Sequence, residues 1–345
     1  MTNEFVRDVG NIGLTLDVCE SVRVFEARQC QSEFAPARVA DHSSGEAAVF
    51  VEDVVADFDL VHVEGYFLIH LVPPTSATPI FLCEENVEFA IVRQQGGVDS
   101  RRVGWRRVLE LERAAWRRAS LVGTVSVADA LAMRQLEPEL SFIAVPNGTD
   151  HMPRVDRARE RSEEPEVLFV GNFGWSPSRQ GAERLLSEIW PRVVTRHPTA
   201  RLRMVGAGIN EPLRQLAAAS TRVDLIGEVP SMHEEFARAD VFVAPISSGS
   251  GVMVKMAEAI RSGSVIVTNQ LSLRGYEAAV QECVSIAETD DHFARQIAQL
   301  LYDPARREHL SRLTLAAATT LTTWQDSAAR MASAWSVAMK TGSRS

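Results

Sequence analysis

The second half of the chain alternates short apolar runs with segments of helical length. The runs are nearly continuously apolar and rich in β-branched residues, as in "EVLFVG" and "DVFVAP", which is typical of a parallel sheet covered on both faces. Alternation of such strands with helices predicts βαβ units in a doubly wound α/β fold. The predicted strands are 166–171, 200–206, 222–227, 240–245, 264–269 and 283–288.

The first half shows the same pattern more weakly. Four apolar runs, at 59–65, 79–85, 120–126 and 141–148, predict strands, and the segment 101–119 predicts a helix. Before residue 59 the periodicity is poor, and only the short segments 5–9 and 37–42 read as marginal strands.

Two Rossmann-like domains follow from this division. We predict an N-terminal domain over 1–155, a C-terminal domain over 156–321 and a final amphipathic helix over 322–340. The charged segment 151–165 has no apolar period and is predicted to be the linker. Because parallel sheets bind ligands beyond the carboxyl ends of their strands, we expect a cleft where the two domains face each other.

The composition of the chain disfavours several classes of function. The net charge of −9 disfavours a general nucleic-acid binder. No apolar run approaches the ~18–20 residues needed to cross a bilayer, and the first residues lack the apolar region of a signal peptide. We therefore expect a cytoplasmic protein, with a location at the inner face of the membrane as the alternative. Only two of the 36 basic residues are lysines, a bias that suggests a GC-rich bacterial genome.

Cysteine and histidine spacing gives no sign of a metal centre. The four cysteines are scattered and are expected to be buried free thiols, and the eight histidines form no close pair. No metal site is predicted.

The segment "PISSGSGVMVKMAEAI" (245–260) follows a predicted strand and contains Lys255, one of the two lysines. Its small residues allow a ligand to approach the backbone, and the N-terminus of the next helix favours phosphate. Lys255 could reach the same anion, and Glu258, one turn later, could accept hydrogen bonds from ribose hydroxyls. A surface Lys–Glu pair beside an ordinary turn is an equally open interpretation.

Two further loops follow strands of the same domain. In "GNFGWSPSRQG" (171–181), Arg179 is a candidate phosphate contact or a solvated arginine at a helix start. In "GEVPSMHEEF" (227–236), the backbone around Glu228 and Val229 could contact the edge of a nucleobase.

These segments, with "ARLRMVGAG" and "FARADVFVAPISSGSGVMVKMAEAIRSGSVIVTN", are similar in order and spacing to the donor-binding half of retaining glycosyltransferases of the B fold, the family-4 group. The similarity covers about 160–340. The segments "DFDLVHVEGYF", "EENVEF" and "VPNGTD" resemble the acceptor-side domain more loosely, and "GNIGLTLDVCESVRVFEA" stands where that family has a glycine-rich loop and first helix.

The resemblance implies a nucleotide-sugar donor, with UDP-sugar favoured, and a hydroxyl acceptor: a polysaccharide, a lipid-linked sugar or a natural product. It implies that Glu258 holds the donor ribose, that His62 faces the sugar, and that the donor diphosphate meets Lys255 and Arg179. The remaining residues implied to line the donor site are Gly10, Gly13, Gly171, Asn172, Val229, Gly249, Ser250, Gly251, Val252 and Met253.

Departures from the family pattern leave two hypotheses for the function open. Ser250 stands where many members have a glutamate eight residues before Glu258, and Asn172 stands where an arginine is common. We expect Lys255 to supply the missing charge in an active, retaining enzyme. The alternative is a non-catalytic, sugar-nucleotide-binding partner subunit. A sugar-nucleotide epimerase is disfavoured because the paired acids and histidine of that class are not found.

No Asp-x-Asp pair follows a predicted strand, which favours a metal-independent mechanism with cations and a helix dipole at the leaving diphosphate. The resemblance implies retention at the anomeric carbon. It also implies that the final helix, 322–340, crosses back to the first domain. The chain offers no convincing nucleophile or general base; His62, Glu85 and Glu88 are candidates. For Glu85 and Glu88, a carboxylate at a helix start is the favoured interpretation.

The predicted helix 101–119 is locally basic. Its arginines are Arg101, Arg102, Arg106, Arg107, Arg113, Arg117 and Arg118. They could dock on an anionic membrane or attract an anionic soluble acceptor. A solvated arginine face, with Val108, Leu111 and Ala115 packed inward, is the favoured interpretation.

Overall fold

The computed structural model describes residues 19–27, 35–155 and 164–342. The predicted strand 5–9, the predicted ligand residues Gly10 and Gly13, and most of the predicted linker lie outside the described residues. The chain forms two compact units. One consists of Met1–Val145 with Ala329–Ser345, and the other of Pro146–Ala328.

The first unit contains a four-stranded sheet in which every pairing is parallel, in the order β1-β2-β3-β4. All four strands fall where the apolar runs predict them. The strands are Val61–Glu64 (β1), Ile80–Glu84 (β2), Leu121–Thr124 (β3) and Phe142–Ala144 (β4).

Among the described residues before Pro146, five α-helices connect or flank these strands. They are Ala37–Asp41 (α1), Gly45–Val54 (α2), Glu88–Gln94 (α3), Trp105–Arg118 (α4) and Val127–Leu136 (α5). The expected strand at 37–42 is wrong. Pro36 occupies the N-cap position of helix α1, and its carbonyl accepts the first helical hydrogen bond, from the Ala40 N–H at 2.9 Å. The basic helix starts at Trp105, because Asp99 accepts hydrogen bonds from the N–H groups of Arg101 and Val103 and holds them in a turn.

Each face of this sheet packs on a separate apolar cluster. One face buries Leu82 and Val122 against Trp116 of α4, which has no exposed surface. The other buries Phe81 and Cys83 against the last helix, Trp324–Gly342, which begins in the second unit and continues in the first.

Two buried glutamates lie at the carboxyl end of β2 and on α4. Glu84 accepts hydrogen bonds from the Trp116 indole and the Tyr66 N–H, at 3.0 and 3.2 Å. Glu112 accepts from the N–H groups of Glu88 and Phe89 and so caps α3. Burial raises the pKa of Glu84 to about 8 and also raises that of Glu112, because neither carboxylate is solvated. The charge of Glu88 adds to both increases, and that of Glu84 adds to the increase at Glu112.

The second unit contains a six-stranded parallel sheet, in the order β10-β9-β8-β5-β6-β7. Its strands are Glu166–Val170 (β5), Arg201–Val205 (β6), Val223–Gly227 (β7), Val241–Ala244 (β8), Ile266–Thr268 (β9) and Ser285–Ile286 (β10). This is the doubly wound arrangement that the continuous apolar runs predict, since both faces of the sheet are covered.

The helices of this unit follow the strands in turn. They are Ser176–Arg184 (α6), Trp190–Arg196 (α7), Glu211–Ala219 (α8), Met232–Arg238 (α9), Val254–Arg261 (α10), Ala278–Glu282 (α11), Asp290–Tyr302 (α12), Pro304–Ala317 (α13) and Trp324–Gly342 (α14). A π-helical turn, Leu185–Ile189, joins α6 to α7. It precedes Pro191, which has no N–H for a regular helical bond.

The second unit begins at Pro146, ten residues before the predicted domain start. Met152 and Val155 are only 5% and 3% exposed and pack in the core of the second unit, although the sequence around them is charged. Two thiols, Cys83 and Cys283, are buried as expected. Cys19 is exposed, and Cys30 lies outside the described residues.

The free energy of unfolding should fall as the pH rises from about 5 to 8. Glu84 keeps its proton in the folded protein up to a pKa of about 8, whereas the unfolded carboxyl loses it near its ordinary value of 4.5. The folded state therefore binds more protons across this range, at up to about 1.4 kcal/mol per pH unit for one proton. Urea unfolding across this pH range measures the slope. Glu84→Gln should flatten it, and an unchanged slope would contradict the assignment.

Candidate functional site

Two loops lie side by side at the carboxyl edge of the second sheet. Strand β8 pairs with β5, with Val167 opposite Val241 and Leu168 opposite Phe242. The loop after β5 and the loop after β8 (245–253) therefore leave neighbouring strands at the same edge. Doubly wound sheets bind their ligands at this edge.

The loop after β5 is held by its own side chains. Asn172 Oδ1 accepts a hydrogen bond from the Gly174 N–H at 2.9 Å. Arg179, on α6, donates from Nη1 to the carbonyls of Phe173 and Gly174 at 3.3 and 3.4 Å. Arg179 thus braces this loop, and its side chain is 30% exposed. Its predicted contact with phosphate stays a prediction.

Glycines allow this loop to pack closely against the loop after β6. Gly206 has a φ of +143°, and a Cβ added there would lie 1.8 Å from the carbonyl oxygen of Gly171. Gly208 would similarly bring a Cβ within 2.3 Å of the Gly174 nitrogen. The predicted site residue Gly171 is therefore fixed by backbone packing.

The loop after β8 is anchored to α6 and to the loop after β9. Ser248 Oγ donates to Gln180 Oε1 at 3.1 Å, and Arg184 donates to the carbonyl of Pro245 at 3.3 Å. Asn269 donates its side-chain amide to the carbonyl of Ile246. Gly181 leaves room for Ile246, whose Cδ1 would be 2.9 Å from an added Cβ. These contacts fix residues 245–248, which directly precede the small-residue turn, residues 249–251.

Helix α10 starts directly after this turn. Gly251 has a φ of +70°, a conformation that glycine adopts without strain. The N-cap residue, Met253, makes no side-chain hydrogen bond to the first turn of α10. The first N–H groups of a helix otherwise lack partners, so an anion at 251–253 would meet them together with the positive end of the helix dipole.

Lys255 and Glu258 lie one turn apart on α10. The Lys255 Nζ is 3.1 Å from Glu258 Oε2 and 3.4 Å from Oε1. The Glu258 side chain is 6% exposed and the Lys255 side chain 36% exposed. The Lys255–Glu258 ion pair of the alternative interpretation is therefore present. The lysine is still accessible to solvent beside the turn.

Several residues near Glu258 were missed by sequence reasoning. Tyr276 Oη donates to the carbonyl of Met253 at 2.8 Å. His151 Nε2 lies 3.2 Å from Glu258 Oε1, and Trp324 Nε1 donates to His151 Nδ1. The segment "VPNGTDH" follows β4 directly and could have marked His151, which was instead assigned to the linker.

Val229 follows β7, the outermost strand on its side of the sheet. It packs, partly buried, against the same apolar cluster as Met253. Its proposed backbone contact with a nucleobase stays a prediction.

In the first unit, a cavity of about 290 Å³ lies at the carboxyl ends of β1 and β2. Glu64, Glu84, Glu85, Glu88 and Arg38 are among the residues that line it. Burial is the main cause that raises the pKa of Glu85 and Glu88. Glu88 is the first residue of α3, as the favoured sequence reading expected.

His62 lies on β1 and belongs to the only group among the described residues that is suited to hold a metal ion. The ligand atoms of His62, Glu64 and Cys83 lie within 4.8 Å of one another. His62 Nε2 is 3.0 Å from Glu64 Oε1, and its ring packs edge-on against Phe81 and Trp335. Burial and Glu64 raise the pKa of the Cys83 thiol, so a metal would have to displace its proton.

The fold is similar to that of several solved proteins. It superposes on sucrose-phosphate synthase from Thermosynechococcus elongatus with a TM-score of 0.68 at 18% identity, over 84% of this chain and 76% of the other. It superposes on HepE from Anabaena, in complex with UDP and glucose, with a TM-score of 0.63 at 14% identity, over 84% and 80%. Two doubly wound units of this kind form the B fold of glycosyltransferases.

The second unit carries the family match. Residues 164–303 match the family described as "Glycosyl transferases group 1". Phosphatidyl-myo-inositol mannosyltransferase of Mycobacterium tuberculosis is 30% identical over 158 residues, which are 44% of this chain. The match spans 41% of the length of that relative.

Substitution of Gly206 by alanine should disrupt the edge of the second sheet. The new Cβ would overlap the Gly171 carbonyl at a φ of +143°, so we expect a loss of about 2–4 kcal/mol in the free energy of unfolding. Urea denaturation measures it. Gly45→Ala is the matched control, since no atom lies within 4 Å of a Cβ at Gly45. Equal stability of the two variants would contradict the close packing.

Proposed function

We propose that the chain is a retaining glycosyltransferase. It moves a sugar from a nucleotide-sugar donor, UDP-sugar being favoured, to a hydroxyl acceptor without using a metal ion. The observation that carries the proposal is the start of α10. A helix N-terminus without a side-chain cap, the Lys255 ammonium and the buried carboxylate of Glu258 stand together behind a small-residue turn. This turn belongs to the region that matches the group 1 glycosyltransferases.

The chemistry follows from charge development. When the glycosidic bond to the diphosphate breaks, negative charge grows on the leaving oxygen. The N–H groups of 251–253, the dipole of α10 and the Lys255 ammonium would bind that charge more tightly in the transition state than in the bound donor. Glu258 would accept hydrogen bonds from the donor ribose, and the anomeric configuration would be retained.

The preference for uridine rests on comparison. HepE from Anabaena, which shares the fold, was solved in complex with UDP and glucose. The contact of Val229 with the base is part of this proposal, as is the second phosphate contact from Arg179.

A non-catalytic, sugar-nucleotide-binding subunit is the second candidate. Ser250 in place of a glutamate and Asn172 in place of an arginine favour it. An active enzyme should hydrolyse its donor at least slowly in the absence of acceptor, and a binding subunit should not.

We place the acceptor hydroxyl at the first unit, near His62 and the acidic cavity at β1 and β2. The relative from Mycobacterium tuberculosis is named for a lipid acceptor, phosphatidyl-myo-inositol, which supports a lipid-linked acceptor and peripheral contact with a membrane on the cytoplasmic side. No helix in the described part of the chain combines the length and apolar character needed to cross a bilayer.

The basic helix divides into two parts. Arg113 and Arg117 pair with Glu137, and Arg118 donates to carbonyls of the segment 69–73, so these three stabilise the unit itself. At the other end of the helix, four arginines line a surface depression of about 830 Å³. They are Arg101, Arg102, Arg106 and Arg107. This end is the part suited to anionic headgroups.

Lys255→Ala should slow donor turnover by about 10²–10³-fold, because one cation is lost from the leaving diphosphate. Release of nucleoside diphosphate from a panel of nucleotide sugars measures the rate. Lys340→Ala is the matched control, since Lys340 is the other lysine and lies near the end of α14. Equal rates in the two variants would exclude the role given to Lys255.

Replacement of Arg101, Arg102 and Arg106 by glutamine should weaken binding to anionic vesicles. Each basic residue near the surface contributes about 1 kcal/mol, so we expect a loss of more than tenfold in the partition coefficient, measured by co-sedimentation with phosphatidylserine-containing vesicles at low salt. Glutamine at Arg192, Arg214 and Arg295 of the second unit is the charge-matched control. Equal losses from both triple variants would argue against a defined membrane face.

A further inference from the structure

Glu258 is held by a chain of hydrogen bonds that begins outside its own helix. Trp324 Nε1 lies 3.2 Å from His151 Nδ1, and His151 Nε2 lies 3.2 Å from Glu258 Oε1. All three residues belong to the second unit. The His151 side chain is 44% exposed, whereas the Glu258 side chain is 6% exposed.

The chemistry of the indole sets the direction of this chain. The Trp324 N–H can only donate, so Nδ1 of His151 must accept and cannot carry a proton. The proton of the neutral imidazole is therefore on Nε2, and it is donated to Glu258 Oε1. Trp324 selects the tautomer in which His151 can hold the carboxylate.

The histidine is itself fixed by the backbone around it. Asp150 Oδ1 accepts a hydrogen bond from the backbone N–H of Trp324 at 2.6 Å, in the same residue whose indole donates to His151. Arg261, at the end of α10, donates to Thr149 Oγ1 at 3.0 Å and to the carbonyl of Leu321 at 2.9 Å. These hydrogen bonds connect three elements that carry the chain from Trp324 to Glu258: the segment 149–151, α10 and the start of α14.

The two oxygens of Glu258 have different surroundings. Oε1 lies within reach of both His151 and Lys255. Oε2 is buried, has the Lys255 ammonium 3.1 Å away and accepts no well-aligned hydrogen bond from the described residues. A carboxylate held through one oxygen keeps the other oriented for a ligand hydroxyl.

We propose that His151 is a positioning residue for donor binding, and that Trp324 acts through it by selecting its tautomer. His151 fixes Glu258 so that Oε2 faces the vicinal hydroxyls of the donor ribose. This inference rests on the proposed function, in which Glu258 receives the ribose. It adds a pair of residues, from the loop after β4 and from α14, to the donor site.

Steady-state kinetics with the preferred donor test the proposal. His151→Leu removes the donor to Glu258 and should raise the donor KM about tenfold while kcat changes less than about threefold, the effect of one charge-assisted hydrogen bond on binding. His151→Gln places an amide N–H near the former Nε2 and should restore KM to within about threefold of the wild type. Trp324→Phe keeps an aromatic ring without the N–H and should give an intermediate KM.

The control is His309→Leu, an exposed histidine on α13 that should alter neither constant. A normal KM in His151→Leu would overturn the proposal, as would a loss confined to kcat. If His151→Gln were as impaired as His151→Leu, with an equal melting temperature, the role of His151 would be packing alone, which also overturns it.

A second measurement separates this inference from the proposed function. Nitrogen-15 NMR of the imidazole reports the tautomer without any substrate. The proton is expected on Nε2 in the wild type, with a mixture of tautomers in Trp324→Phe. A wild-type proton on Nδ1 would overturn the inference even if donor turnover were normal. The absence of nucleotide binding, with the Nε2 tautomer intact, would instead overturn the proposed function and the ribose contact with it.

Discussion

The candidate site depends on one buried carboxylate. Glu258 is almost fully removed from solvent, and a carboxylate in such a place is costly unless cations or N–H groups compensate for its lost hydration. Lys255 supplies the cation from the same helix, and His151 supplies a hydrogen bond from a distant part of the chain. The position of α10, the segment after β4 and the start of α14 are therefore coupled through one side chain.

Backbone packing supplies the second constraint. The loops after β5 and β6 approach so closely that Gly206 and Gly208 leave no room for a Cβ, and Gly181 admits Ile246 from the loop after β8. A diphosphate needs N–H groups at fixed positions, and loops that are packed on one another cannot easily move away from them. Glycines in these loops would suggest, from the sequence alone, that a ligand approaches the backbone. In the structure they also act by allowing the loops to pack on each other.

The central strands, such as β2, β3 and β8, were predictable because they are buried on both faces. The edge strand β7 is only partly buried, and its apolar run alone marks it. All ten described strands fall within apolar runs that the sequence marks out. The helix Gly45–Val54 was harder to foresee, since its three valines favour strand as much as helix; its Ser44 cap, which accepts from the Ala47 N–H, decides the outcome locally. The strand expected at 37–42 failed because Pro36 starts a helix there.

The candidate site was only partly visible in the sequence. Lys255, Glu258 and the small-residue turn stand in one segment, so their proximity follows from helical spacing. His151 is separated from Glu258 by 107 residues and from Trp324 by 173, and no local pattern brings them together. Arg179 braces its own loop through contacts to carbonyls, which depend on how the loop folds back and which no local pattern marks. Its contact with a phosphate stays a prediction.

The most direct test of the central claim is the location of nucleotide binding. Backbone amide NMR of the full chain, titrated with UDP, GDP, ADP and TDP, would follow each amide separately. We expect one nucleotide to saturate the protein and to shift the amides of 249–255 and Glu258 most strongly. Shifts confined to other parts of the chain, or no shifts with any nucleotide, would contradict it.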